Sequence, residues 1–368
     1  MVRGPAAGTA VRPAGSSRWR APGAACLAAP VSTGPATPSP AYEDLDEGAQ
    51  VVVLRRVAVT AAQRYGLPTD RLEPVLHGFN TTFRVDTTDG ATFALRVNTN
   101  SVSTAEHVAA QQAWVHAIAR ETDVRVPDAV AAPDGRTVVP VPCEELGRDL
   151  LSVVNTWLDG PDVGECDPEQ ARALGRAMAI LHEHARTFVV PEGAGFPVFD
   201  EPLFGDRNLL EGTTLLDPQA CTVLDDAFER TRSAFAALGA SAAAVPLHGD
   251  LHGGNLKWHE GRLAVFDFDD AGVGAPVLDL AIATFYLRGG DPAVERSMRE
   301  GYTEVTALPE GTEHLEALVA SRQLLLANSL LTTTTAQWRS QAVDYLGTTV
   351  ERLRHWTATG RFVLDAGS

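Results

Sequence analysis

The chain has 368 residues and a formal net charge of −17, from 47 Asp+Glu against 30 Lys+Arg, and only one of those cations, Lys257, is a lysine. That balance excludes a phosphate-backbone binder, which carries clustered excess cations, and no apolar run reaches the ~18–20 residues of a membrane span. A hydrophobic share of 45% with 21% charged residues is that of a soluble globular chain, and the length implies roughly two domains or one two-lobed unit.

Residues 1–48 read as a disordered Ala/Pro/Gly-rich tail, with Arg3, Arg12, Arg18 and Arg20 as its only cations. Its one apolar patch, Ala24–Ala29, lies between Pro22 and Pro30 and is a poor signal-peptide core; a true start further downstream is the other reading. Composition becomes globular near Gln50. Helical spacing over Val51–Tyr65 ends before Gly66 and Pro68. Two β-rich runs, Leu72–Val85 and Thr92–Val97, are joined through Asp89-Gly90 and read as a hairpin. Ser103-x-x-Glu106 is a capping box opening a helix whose apolar line runs through Val108, Val115 and Ile118. Gln111 falls on that line, so it must be partnered or at an edge. Strand-like runs follow at Thr137–Val141 and Leu150–Trp157, before a break at Gly160-Pro161.

From there the pattern is mostly helical. Asp167-Pro168-Glu169-Gln170 supplies an N-cap, a proline at N1 and a Gln at N3, followed by a stripe of Leu174, Ala177, Met178 and Leu181. The expected divisions are an N-terminal β-rich lobe at 49–153, a hinge at 154–160 and a helical lobe at 161–368. Cys26, Cys143, Cys166 and Cys221 form no C-x-x-C pair, which fits a reducing, cytoplasmic setting rather than a disulfide or zinc scaffold.

Chemistry concentrates in Leu247-His-Gly-Asp-Leu-His-Gly-Gly-Asn255, Leu263-Ala-Val-Phe-Asp-Phe-Asp-Asp270 and Gly274-Ala-Pro-Val-Leu-Asp-Leu-Ala281. Asp250 and Asn255 keep the spacing of the kinase catalytic loop H-R-D-L-x-x-x-N, with Gly249 in place of the Arg, and Asp267-Phe268 stands where a kinase places the start of D-F-G. Phosphoryl transfer needs magnesium to screen phosphate charge and a carboxylate to orient the acceptor hydroxyl. Magnesium takes hard oxygen ligands, which Asn255 and Asp267 offer, and Asp250 can accept the acceptor's hydrogen bond and proton.

These residues resemble the aminoglycoside phosphotransferase and choline kinase superfamily, marked by H-G-D-x-x-x-x-N and a D-x-D-type strand. Asp267–Asp270 and the following Gly-x-Pro-x-x-Asp-Leu-Ala look most like its type II homoserine kinase and stress-response Ser/Thr kinase branch. The resemblance implies an α+β, protein-kinase-like bilobal fold with a small β-rich N-lobe, ATP as co-substrate, Mg2+, and a small-molecule acceptor. It implies Asp250 as the catalytic carboxylate, Asn255 and Asp267 as metal ligands, and adenine against the backbone near Asn155–Trp157. Arg96 takes the strand position where kinases carry a phosphate-clamping Lys, because no lysine is available there; its bidentate guanidinium keeps the charge and changes the geometry. Gly78-Phe-Asn80-Thr-Thr replaces a G-x-G-x-x-G loop, and Gln111 replaces the helix-C Glu. His248 is expected to anchor the loop, His252 to touch phosphate or face solvent, Asp279 to cap its helix or brace the loop, and Asp269 to assist the metal.

Other readings stay open in the sequence. His248-x-Asp250-x-His252 can be read as a facial-triad iron site. Arg96 and Gln111 also suit a nucleotide-binding module without catalysis. The acids of segment 191–240 suit either a solvated face or a surface favouring a cationic acceptor. The short stretch between Asp267 and Pro276 leaves little room for a protein-kinase activation segment and favours a small-molecule hydroxyl, whereas the stress-kinase resemblance favours a protein acceptor.

Overall fold

The computed structural model describes residues 41–101 and 103–365. Most of the expected tail lies outside them, but its last residues do not. Tyr42 is buried and begins a 3-10 turn, and Asp46 caps α1 (Glu47–Arg64) by accepting from Ala49 N at 2.8 Å. The fold therefore includes residues ahead of the composition shift near Gln50, because the Tyr42–Asp46 run packs against and caps α1 rather than forming part of a tail.

An antiparallel sheet follows, formed by β1 (Thr69–His77), β2 (Thr81–Thr87), β3 (Thr92–Val97), β4 (Ala129–Val130), β5 (Val139–Cys143) and β6 (Arg148–Thr156). The strand order is β1-β2-β3-β6-β4, with β5 also on β6. The Leu72–Val85 run thus divides at Gly78–Asn80 into two strands, and the expected hairpin at Asp89-Gly90 joins β2 to β3. Strict alternation along β2 buries Phe83 and Val85, which pack with Leu95, Val139 and Val141 under Leu54, Val57 and Ala61 of α1. Between β3 and β4 lies α2 (Ala105–Glu121). Its cap is Thr104, whose Oγ1 accepts from His107 N at 3.3 Å, and not Ser103. Adjacent hydroxyl residues offer two cap registers, and the backbone selected the second. Trp114, Val115 and Ile118 of α2 belong to the core of the helical lobe, so α2 carries contact between the lobes.

After β6 the chain enters that lobe. It comprises α3 (Pro168–Ala185), α4 (Pro218–Ser241), the strands β7 (Val245–Leu247), β8 (Leu256–His259), β9 (Arg262–Val265) and β10 (Gly272–Gly274), and then α5 (Val277–Leu287), α6 (Pro292–Thr303), α7 (Leu315–Thr332) and α8 (Ala336–Thr359). The capping box of α3 forms as the sequence indicates: Gln170 N donates to Asp167 Oδ1 at 2.8 Å and Asp167 N to Gln170 Oε1 at 3.1 Å. Its Leu174–Leu181 stripe is buried. Antiparallel pairing of β7 with β10 and of β8 with β9 holds the motif-bearing loops side by side.

The helices α3 and α6 meet backbone to backbone. A Cβ on Gly175 would overlap Met298 O, and one on Gly301 would overlap Arg172 O. Gly175→Ala is therefore expected to destabilise the chain by ~1–3 kcal/mol, the usual cost of overpacking a close contact. A urea melt would read this as a lower midpoint at an unchanged slope; a midpoint equal to wild type would show that the helices separate freely.

Candidate active site

The loop between β7 and β8 carries the His248–Asn255 motif. Gly249 has φ +78°, and a Cβ there would overlap Asp270 O, so this loop position admits glycine and not the Arg of the kinase motif. Asp279, fully buried at the start of α5, braces the loop by accepting from Gly249 N at 2.8 Å and His248 N at 3.0 Å. It does not cap its own helix, whose N-cap position is Pro276. His182 Nε2 approaches the same carboxylate at 3.1 Å, and Tyr302 Oη lies 2.9 Å from His182 Nδ1. His248 is buried with both ring nitrogens engaged: Nδ1 accepts from Asp250 N at 3.2 Å and Nε2 donates to Phe266 O at 3.1 Å. Burial pushes its imidazole down, so it stays neutral. A ring committed in this way is an anchor, and the facial-triad arrangement of His248, Asp250 and His252 does not form. Among the described residues no group of three or more His, Cys, Asp and Glu side chains could hold a metal.

Asp250 is gripped from several sides. Asn255 Nδ2 donates to Asp250 Oδ2 and to its carbonyl, each at 2.9 Å. His252 Nε2 lies 3.3 Å from Oδ2, and Arg322 of α7 pairs with Oδ1. Burial raises the Asp250 carboxyl, but the Arg322 and His252 charges outweigh it and hold the group below the usual carboxylate range. His252 is partly exposed, and its ring stacks on Tyr286 with centroids 4.3 Å apart.

Asp267 follows β9 in the left-handed region, at φ 65° and ψ 66°, a conformation that Asp tolerates better than most residues. The expected D-x-D strand ends at Val265, and Phe268–Asp270 forms a 3-10 turn instead; Arg96 of β3 reaches two carboxylates there, Asp267 at 3.1 Å and Asp269 more closely, and its Nε donates to Asn98 Oδ1 at 3.0 Å. Asn80 Nδ2 also pairs with Asp269, while Asn80 Oδ1 accepts from Thr99 N at 2.9 Å. Gln111 does not stand in for a Glu against Arg96. Its Nε2 donates to Asp269 O at 2.6 Å and its Oε1 is buried without a partner, while Arg96 pairs with Asp267 and Asp269. Asp270 lies between the lobes, where protein burial and then the Asp250 charge push its carboxyl up to about 7; its side chain opens to solvent, which screens that rise.

The hinge side is tied by the lone lysine. Lys257 Nζ donates to Gly160 O at 3.0 Å and pairs with Asp162 at 2.8 Å, lying over the rings of Trp157 and Phe266. Trp157 N donates to Thr92 O at 3.3 Å, and Asn155 sits in β6 opposite Ala94 and Ala129 with its Oδ1 buried and unpartnered.

Two groups of residues here carry no motif and escape a motif-based reading. One is Arg322 with Tyr286. The other is Thr334 and Thr335, between α7 and α8, which strap the helical lobe to the Gly78 loop. Thr335 Oγ1 donates to Gly78 O at 2.6 Å, and Thr334 N and Oγ1 donate to Asn100 Oδ1 at 2.7 and 2.6 Å. Gln50 joins the strap through Thr334 O at 3.0 Å and meets His77 Nε2 at 3.3 Å. Burial pushes the His77 imidazole down to about 4. Because the folded value lies below the unfolded one near 6.5, the stabilisation is complete above pH 6.5 and is lost as pH falls through 4. Screening at this partly open site limits the loss to about 1–3 kcal/mol. Urea midpoints measured between pH 7 and pH 4 should fall, and His77→Gln should remove part of the fall; an identical pH dependence in the variant would refute the assignment.

A β-rich lobe over a helical lobe, with an Asp-Asn loop and an Asp-x-Asp turn facing a strand-borne cation, defines a protein-kinase-like architecture. The sequence profile of the phosphotransferase enzyme family matches residues 71–315, and the chain belongs to that family. An uncharacterized protein of Deinococcus radiodurans is 30% identical over 230 residues, covering 61% of this chain and 65% of that protein. The serine/threonine protein kinase RdoA of Salmonella typhimurium is 32% identical over 152 residues, covering 38% of this chain and 42% of that one. The chain thus spans less than two thirds of the length of these curated relatives. The solved amicoumacin kinase hAmiN, in complex with AMP-PNP, Ca2+ and Ami, shares the fold with a TM-score of 0.65 at 18% identity, covering 83% of this chain and 96% of that one. No described helix is long and apolar enough to cross a membrane.

Proposed function

We propose that the chain is an ATP-dependent phosphotransferase that moves the γ-phosphate to a hydroxyl of a small molecule. The observation that carries this reading is the neighbourhood of two groups, the Asp250–Asn255 pair and the Asp267–Asp269 pair held on Arg96, with Asp270 feeling the charges of both. Asp250 orients the acceptor hydroxyl and takes its proton. Arg96 holds the α/β-phosphates, Gly78 and Asn80 shape the loop above them, and the adenine lies by Asn155–Trp157 where β6 leaves the N-terminal lobe at 154–160. Gln111, His248 and Asp279 fix the frame around these groups.

The donor set fits Mg2+. Asp267 and Asp269 lie close enough together to share Arg96, and Asn255 commits its amide nitrogen to Asp250. These are hard oxygen donors too few to enclose a cation alone, as expected where phosphate oxygens and water complete the shell. Bound there, Mg2+ would screen phosphate charge. The free thiols Cys143, Cys166 and Cys221 and the need for ATP support a cytoplasmic site.

A small-molecule acceptor is supported by the short path from Asp267 through β10 to α5 at Val277, which lacks an extended activation segment. The test is transfer from γ-labelled ATP, with magnesium, over a panel of aminoglycosides, amino-acid hydroxyls, choline-type alcohols, sugars and generic protein substrates. Labelling of a small molecule supports the reading. Labelling of protein alone favours the stress-response kinase type, and nucleotide binding without any transfer favours a non-catalytic module.

A further inference from the structure

Arg322 is the one charged residue in the interior of α7, amid Leu318, Val319, Ala320, Leu324 and Leu325. Its side chain is only 5% exposed. A buried guanidinium is costly unless paired and hydrogen-bonded, so its partners explain its presence. It pairs with Asp250 Oδ1, donates to Tyr286 Oη at 2.9 Å, and lies over the Tyr286 ring at 5.6 Å. Tyr286 stacks on His252, and His252 Nε2 returns to Asp250 Oδ2. Arg322, Tyr286, His252 and Asp250 therefore close a ring of four side chains.

That ring decides which lone pair of Asp250 remains available. An ionised carboxylate offers about four acceptor positions. Asn255 Nδ2 donates to Oδ2, His252 Nε2 lies 3.3 Å from that same oxygen, and Arg322 pairs with Oδ1. Oδ2 is thus flanked on two sides, and Oδ1 keeps a position beside the one that Arg322 holds. We propose that Arg322, itself held by Tyr286, is a positioning residue that fixes Asp250 so that one lone pair of Oδ1 faces the acceptor hydroxyl. This rests on the phosphotransferase reading. A merely structural ion pair would stabilise α7 equally well away from the reacting carboxylate. Here the guanidinium sets the angle at which that carboxylate meets the acceptor, and reaction rates fall steeply when such a group is misplaced by an ångström.

The experiment uses the full chain with Mg-ATP and water as acceptor, read as ADP release, in wild type, Arg322→Ala, Arg322→Lys, Tyr286→Phe and the Arg322→Ala/Tyr286→Phe double variant. Arg322→Ala should lower kcat by about 50-fold or more, with KM for ATP within about twofold, because the nucleotide contacts are untouched. Millimolar methylguanidinium should recover at least about a tenth of the lost rate, and Lys should fall between Ala and wild type, since it restores the charge but not the planar group whose Nη2 meets both Asp250 and Tyr286. Tyr286→Phe should cost less than Arg322→Ala and add nothing to it. A folded Arg322→Ala protein with wild-type kcat would overturn the role. So would a loss that tracks a lowered melting temperature and that neither Lys nor methylguanidinium repairs. Those results differ from failure of the parent reading, in which the wild type itself binds Mg-ATP yet transfers phosphate to neither water nor any acceptor; that outcome removes both.

Discussion

Asp250→Asn lowers kcat by about 10²–10⁴-fold and leaves Mg-ATP affinity within about threefold. The split follows from what the side chain touches. Its carboxylate contacts Asn255, His252 and Arg322, and its backbone is held through His248 and the Asp279 brace. Neither Arg96 nor the Gly78 loop depends on it. Asn keeps the shape and removes the charge, so an oxygen that accepts a hydroxyl proton is replaced by an amide that cannot. The brace and the ring of partners should keep the loop folded, although Arg322 then loses its carboxylate and some stability with it. Single-turnover kinetics with γ-labelled ATP and isothermal titration of nucleotide measure the two quantities separately. A variant that turns over within about tenfold of wild type would remove Asp250 from the chemistry. Parallel loss of ATP affinity would instead place it in the nucleotide site.

The parts of this arrangement that were legible in sequence are those that local rules dictate. The α3 capping box, the Asp89-Gly90 hairpin and the amphipathic stripes depend on neighbours within a few residues, and they stand in the fold where the pattern puts them. The His248–Asn255 and Asp267–Asp270 segments were legible because their spacing is set by one loop and one short strand. Side-chain partners across the chain were not. Gln111 lies on the buried line of α2 as its spacing requires, yet nothing in that spacing tells whether it faces Arg96 or the carbonyl of Asp269. Arg322 offered a faint signal, a lone cation in an apolar helix, without an address for its partner 72 positions away. The Thr334–Thr335 strap had none, since hydroxyls between two helices read as a linker until the Gly78 loop is placed against them. The lone lysine shows the same limit. Its scarcity directs attention to Arg96 on β3, but only the fold reveals that Lys257 itself fastens the segment after β6 through Gly160 and Asp162.

The second large effect concerns the charge balance around Arg96. Asp267 and Asp269 pair with Arg96, Asp250 pairs with Arg322, and Asp270 feels the charges of both groups; a bound nucleotide would add its own phosphate charges. Arg96 is committed to two carboxylates in this state, so phosphate must compete with Asp267 and Asp269 for it. Coulomb repulsion among these groups, screened where Asp267 and Asp270 meet solvent, is expected to make nucleotide affinity depend on a divalent cation. Asp267→Ala removes one of those carboxylates and one oxygen donor together. The expected result is a collapse of the magnesium dependence: wild type binds ATP about tenfold or more tightly with Mg2+ than with EDTA, whereas the ratio in Asp267→Ala falls towards one, in line with the ~10–100-fold cost of disturbing a metal's supporting groups. Metal-free ATP affinity should hold or rise, because Arg96 is freed from one competitor, and kcat should fall with the metal's contribution. Arg96→Met should give the opposite signature, weaker ATP binding with and without Mg2+, if its charge serves the phosphates directly as proposed. Isothermal titrations in Mg2+ and in EDTA for the three proteins decide the matter. An undiminished magnesium effect in Asp267→Ala would move the cation away from the Asp-x-Asp turn, and unaltered ATP affinity in Arg96→Met would show that the phosphates are held elsewhere.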